Sequence, residues 1–260
     1  MTERLPMPQF SYQLYSSRKF GPVTETLTML ASIGYGQVEG NGGLFRTSED
    51  VSTLNMALDR TGLIMPTAHF GFESVRDTPA EVIDIANTLG IRAVFVPAIG
   101  QRDRDAAGWA QFGKDLAEAG RPLQDAGLTF GWHNHDYEFA DLGGPEAPLD
   151  LILSGSDDLK LEIDLAWIQI AGQDPAAWVR KYTDRIAAAH LKDIAEPGNA
   201  VDEDGWADVG HGVMDWPPLV AALNGSAVQT LVMEHDNPSD DARFAERALA
   251  AAKTMPWTLA

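Results

Sequence analysis

Along the chain, short apolar runs rich in β-forming residues alternate with segments whose apolar residues recur every three to four positions. The first kind predicts strands at 10–16 (FSYQLYS), 36–40 (GQVEG), 65–71 (MPTAHFG), 92–98 (RAVFVPA), 128–135 (LTFGWHNH), 159–167 (LKLEIDLAW), 186–193 (IAAAHLKD) and 230–236 (TLVMEHD). The second predicts helices near 22–33, 48–61, 78–89, 106–126, 147–154, 175–184, 216–224 and 239–254. Thr78 and Glu81 have the spacing of a capping box. Gly90 and Gly127 stand where helices should stop.

Strict alternation of strand and helix means parallel strands joined by crossover helices. Eight such units in 260 residues predict α/β architecture, a single (β/α)8 TIM barrel domain over 1–260. An open, doubly wound sheet is the competing arrangement, but the chain lacks the G-x-G-x-x-G turn after its first strand.

Composition narrows the partners. The net charge is −19, and the 19 lysines and arginines are scattered, so a nucleic-acid backbone is repelled. A small neutral molecule or a bound cation is easier to hold. No apolar run reaches the ~20 residues of a membrane helix, and MTERLPMPQF lacks the pattern of a secretory leader. With no cysteine, disulfides and thiolate metal sites are excluded. A cytoplasmic location is expected.

In a (β/α)8 barrel the reactive residues gather at the C-terminal ends of the strands. There the sequence places Glu39, His69, the HNH of 133–135, Asp164, His190 and the EHD of 234–236. A lone polar residue at a strand end is ordinarily a helix cap or a hydrogen-bonded structural group. Convergence from several strands is different, because buried charges are costly unless a shared cation offsets them. Asp164, His190 and Glu234 occupy equivalent positions in LEIDLAW, AAAHLKD and LVMEHD. Oxygen and nitrogen ligands without sulfur suit Mn²⁺, Mg²⁺, Co²⁺ or Zn²⁺.

The motifs GYGQVEG (34–40), GWHNHDYEF (131–139), EIDLAW (162–167), HLKD (190–193), DVGHGVMDW (208–216) and MEHD (233–236) together resemble the sugar phosphate isomerase/epimerase family of xylose-isomerase-like TIM barrels. That resemblance implies one divalent cation, Mn²⁺ first, held by a Glu-Asp-His-Glu set. Asp164, His190 and Glu234 match its last three members. At the first, the chain departs from the pattern: Trp132 or His133 stands at the end of the fifth strand, and the nearest glutamate is Glu138. Glu138 folding back is the preferred ligand, and His133 is the alternative.

The resemblance also implies an isomerase or epimerase of a sugar or keto-sugar. A proton next to a carbonyl would be removed, leaving a metal-stabilised enediolate. Glu234 and Glu138 would move the proton, and His133 would assist. Lys192 would neutralise an oxyanion, with an ion pair to Asp193 or a loop carboxylate as its structural alternative. His69, Glu39, His135 and Trp167 would contact substrate, His211 would be either a further substrate contact or a solvated turn residue, and the glycines around His211 would let the backbone approach the substrate. A lyase or dehydratase sharing the same first step is the alternative, because the imidazoles of the fifth strand could protonate a leaving oxygen. A non-catalytic sugar-binding barrel would need no metal, and a DNA-repair endonuclease is disfavoured by the charge. The absence of a glycine-rich phosphate loop favours an unphosphorylated substrate. Barrels of this kind commonly form homo-oligomers, and no interface is evident in the sequence.

Overall fold

The strands β1 (Phe10–Gln13), β2 (Gln37–Asn41), β3 (Ile64–His69), β4 (Ala93–Val96), β5 (Thr129–His133), β6 (Lys160–Asp164) and β7 (Ile186–Leu191) run parallel. The short β8 (Asp193–Ile194) and β9 (Trp206–Ala207) pair as an antiparallel hairpin, and β10 (Thr230–Met233) lies between β7 and β1 and closes the barrel. This computed structural model describes residues 8–259. Residues 1–7 and 260, with most of the stretch read for a leader, lie outside the described residues.

The strand period of two explains how the core is divided. Outward positions such as Val94, Val96, Phe130, Trp132, Leu161, Ile163, Ala189, Leu191, Leu231 and Met233 join one apolar core with the surrounding helices. Inward positions behave differently. Ala93, Phe95 and Ala188 form a small separate apolar cluster. Further inward positions carry Gln13, Glu39, Thr67, His69, His133, Glu162, Asp164, His190 and, just past the last strand, Glu234, all buried.

The helices are α1 (Val23–Ile33), α2 (Ser48–Thr61), α3 (Phe72–Asp77), α4 (Pro79–Leu89), α5 (Ala106–Asp125), α6 (Pro148–Leu153), α7 (Leu165–Ile170), α8 (Pro175–Lys181), α9 (Trp216–Asn224) and α10 (Asp241–Ala252). Two are additions to the predicted set: α3 follows β3, and α7 takes the tail of the predicted sixth strand. That strand stops at Asp164 because the Asp164 side chain caps α7, accepting from the N–H groups of Ala166 at 2.9 Å and Trp167 at 3.0 Å. The first strand likewise gives way at Leu14 to a 3-10 turn. Gly90 ends α4 with φ of +73°, as expected. The capping box predicted at Thr78 does not form, since its hydroxyl donates to Ser74 O in the preceding helix. The box forms instead at Thr47 and Asp50.

Candidate active site

Strand register sets the polar interior. His133 stands beside Glu162, and Asp164 beside His190. Glu162 and Asp164 are two apart on β6 and so face the same side. Glu39 accepts from Gln13 Nε2 at 2.7 Å and from the Thr67 hydroxyl, and pairs with His190 Nε2 at 2.7 Å. Glu162 pairs with His69 Nε2. Its Oε2 also lies 3.1 Å from His133 Nδ1 and 3.3 Å from His190 Nε2. On its other side the His190 ring places Nδ1 2.9 Å from Glu234 Oε2 and 3.9 Å from Asp164 Oδ2.

Two groups bring ligand atoms within 4.8 Å of one another: an inner set of His69, His133, Glu162 and His190, and an outer set of His133, Asp164, His190 and Glu234. Buried polar atoms without partners mark this region, namely Asp164 Oδ2 and Glu162 Oε1. An orphaned carboxylate oxygen is costly unless something electropositive faces it, so these donors fit a divalent cation. Glu39 only accepts when ionised, so its pairing requires a hydrogen on His190 Nε2. Nδ1, on the side of the outer set, likewise donates to the ionised Glu234 at 2.9 Å, and a cation there would take the place of that proton.

The electrostatics separate the histidines. Burial pushes Asp164 up to about 7 and Glu39 up to about 7. Burial drives His133 down to about 3 and His135 down to about 2, so both rings are neutral and have a lone pair to offer. For His190 burial acts downward, but Glu162, Glu234 and Glu39 outweigh it and raise the ring well above its ordinary value. For Glu234 burial acts upward, and Lys192 and His190 hold the carboxyl well below its usual range.

A cavity of about 500 Å³ opens above the outer set, and its wall includes His69, His133, His135, Glu234 and Asp236. The other sequence-predicted residues lie elsewhere. Glu138 is fully buried and turned away from both ligand sets: Trp132 Nε1 donates to one oxygen at 2.9 Å and the His135 N–H to the other at 3.0 Å. It braces the loop after β5, and His133 stands in the outer set in its place. Glu39 lies beneath the site and is outside the cavity wall. Lys192 is buried behind it, 2.6 Å from Asp236 and 3.4 Å from Glu234, with Trp167 at 4.9 Å and Trp206 at 4.1 Å over its ammonium group. Trp167 forms part of that box and packs on His135 at 5.3 Å, and neither Lys192 nor Trp167 is in the cavity wall.

His211 is exposed in a turn away from the cavity. The glycines beside it serve the loop itself. Asp193 accepts from the N–H groups of Ile194, Gly210 and Met214 and from Trp216 Nε1, at 2.9–3.0 Å. A Cβ on Gly212 would meet Asp193 Oδ1 at 2.2 Å. His235 faces away from the ligand sets, 5.3 Å from the Phe244 ring and 3.3 Å from Glu203.

The model of the family described as xylose isomerase-like TIM barrel matches residues 27–258. The chain belongs to this family. Inosose dehydratase from Clostridium beijerinckii is 26% identical over 172 residues, 56% of either chain. The match therefore spans little more than half that relative's length. A sugar phosphate isomerase/epimerase from Parabacteroides distasonis superposes with a TM-score of 0.80 at 19% identity, covering 98% of this chain and 96% of its own. The IOLI protein, whose structure holds a zinc atom, superposes at 0.68 with 16% identity, covering 94% and 95%. At these identities the superpositions establish the fold.

Within this xylose isomerase-like barrel, Glu162 and Trp206 escaped the sequence, while Asp236 was placed at the strand end without a role. Glu162 is the centre of the inner set, and its signal was present: two residues before Asp164 it must share Asp164's face. Asp236 lines the cavity two residues after Glu234 by the same rule. Trp206 arrives from the β8–β9 hairpin, and no strand or helix period announces it.

Proposed function

We propose that this barrel is a divalent-metal-dependent isomerase or epimerase of a sugar or keto-sugar, working by proton removal next to a carbonyl. The observation carrying this reading is the outer set, whose His133 and Glu234 also line the cavity while Asp164 Oδ2 lacks a partner. His133, Asp164, His190 and Glu234 would hold the ion. When bound, it would supply Lewis-acid stabilisation of the negative charge that develops as the proton leaves. The donors are nitrogen and oxygen only, a set that accepts Mn²⁺, Co²⁺, Zn²⁺ or Mg²⁺.

The chain's own residues supply the rest. Glu234 is kept ionised by Lys192 and His190, so it is in the protonation state of a base. Asp236 lines the cavity and replaces Glu138 as the second carboxylate within reach of substrate. His135, held neutral, is a hydrogen-bond partner for a hydroxyl. Lys192 acts through Glu234 and Asp236 as a positioning residue. Glu39 fixes His190, which is the usual task of a carboxylate behind a ligating histidine.

A lyase or dehydratase is the second reading. His69, His133 and His135 put three imidazoles in the cavity wall, where one could serve a departing hydroxyl, and the Clostridium relative is named a dehydratase. The test is incubation of the metal-loaded protein with a keto-sugar panel in D₂O, followed by mass spectrometry. Deuterium gained without loss of water supports isomerisation or epimerisation, and deuterium exchange with loss of water supports elimination. No exchange with any member, by protein that carries metal, contradicts both.

A further inference from the structure

Beside the metal cavity lies a second recess of about 270 Å³, and the two share Tyr15, Arg18 and Asn41 in their walls. Ser17, Thr26 and Arg46 also line the recess, and no aspartate or glutamate does. The chain has 38 acidic residues against 19 basic ones, so an acid-free recess with two guanidinium groups is a local reversal of its charge. Among the described residues neither Arg18 nor Arg46 makes an ion pair, whereas Arg76, Arg180, Arg243 and Arg247 do. The two carboxylates in the cavity wall, Glu234 and Asp236, are already engaged by His190 and Lys192.

Arg18 is exposed to solvent at the rim and is oriented there by Tyr15. Its guanidinium lies 3.8 Å over the Tyr15 ring, and Nη1 donates to Tyr15 O at 3.0 Å. A guanidinium has five N–H donors, and this is the single protein acceptor it meets among the described residues. An oriented, free guanidinium is matched to two oxygens of one anion, and a neutral hydroxyl makes little use of it.

We propose that this recess binds an anionic substituent, carboxylate or phosphate, of a substrate whose reacting end lies against His133 and Glu234. The placing of the reacting end rests on the metal-dependent reading above, while the anion site stands on Arg18 and Arg46. Arg18 is therefore a determinant of substrate class, and it offsets the repulsion that the net charge of −19 imposes on an anionic ligand.

The test is calorimetric titration of the metal-loaded protein with D-glucose, D-glucuronate and D-glucose 6-phosphate, for the wild type, Arg18→Ala and Arg46→Ala. One of the two anionic sugars should bind roughly tenfold or more tighter than glucose, the size of one charge-assisted pair. The advantage should shrink with added salt and disappear in Arg18→Ala, with metal content unchanged. Preference for glucuronate assigns the recess to a carboxylate, and preference for the phosphate ester assigns it to phosphate. Equal binding of all three sugars overturns the proposal, as does a preference that survives both substitutions. Wild-type protein that takes up no metal but still prefers an anion contradicts the proposed reaction and leaves the recess standing.

Discussion

Replacing Glu39 by glutamine tests the reasoning that divides the polar interior into a support and a metal set. Glu39 is fully buried, and its carboxylate binds Gln13, Thr67 and His190 Nε2. Glutamine keeps the shape but removes the charge, so the contact to His190 falls from charge-assisted to neutral. Such bonds differ by about 1–2 kcal/mol, or roughly 5- to 30-fold in an equilibrium constant. Loss of a carboxylate behind a ligating histidine costs about 10- to 100-fold in metal affinity, an overlapping range. Competition between protein and a chelator for Mn²⁺ or Zn²⁺ at fixed pH should therefore show Glu39→Gln weakened by roughly tenfold. KM should change little, because Glu39 is outside the cavity wall. Unchanged metal affinity with a large rise in KM would refute the argument and return Glu39 to the role of a substrate contact.

Glu138→Gln should keep its metal and lose stability of about 1–3 kcal/mol, because an amide cannot accept from both Trp132 Nε1 and the His135 N–H; denaturant melts and metal content check this, and loss of metal would restore Glu138 as a ligand. In Lys192→Met, Glu234 and Asp236 lose their shared ammonium, and a destabilisation of about 3–5 kcal/mol is expected; a change below about 1 kcal/mol would show that the pair is not coupled to folding. Metal-free protein should lose stability as pH rises from about 7 to about 8; at lower pH the trend is opposed by His133 and His135, which burial holds at about 3 and about 2, because the unfolded chain binds their protons. The sign follows from Asp164, Glu39 and Glu138, which burial raises to about 7, 7 and 8. A group raised in the folded state stabilises at low pH and loses that contribution as pH climbs through its folded value. Added cation should flatten the curve, since it uses the Asp164 carboxylate; chemical denaturation with and without chelator decides, and a metal-free curve rising across that window would contradict the assignment.

The barrel was legible because its two periods are clean: apolar runs such as RAVFVPA are short and rich in β-branched and aromatic residues, as buried strands are, and the segments between them keep a helical repeat. The outer set was legible for the same reason, since strand ends converge at one face of a closed barrel. Glu138 shows where this kind of reading stops. Five residues beyond the end of the fifth strand is within reach of the metal in sequence, but the direction of a loop side chain depends on which donors meet it, here Trp132 Nε1 and the His135 N–H. Glu39 and Lys192 were recognised as inward-facing, yet depth within the barrel is not encoded in a two-residue period. The loop carrying His211 offered either a substrate contact or a solvated turn, because its glycines were visible and Asp193, the carboxylate they wrap, was not recognised as its hub.

The central claim is that His133, Asp164, His190 and Glu234 hold one divalent cation. The most direct measurement is elemental mass spectrometry of purified wild-type protein beside Asp164→Asn and His133→Ala, each after equilibration with limiting Mn²⁺, Co²⁺, Zn²⁺ and Mg²⁺. The account predicts about one equivalent of one of these metals in the wild type and its loss from both variants while they remain folded. Wild-type protein without metal and without thermal stabilisation on adding Mn²⁺ would contradict it, as would metal that persists in both variants.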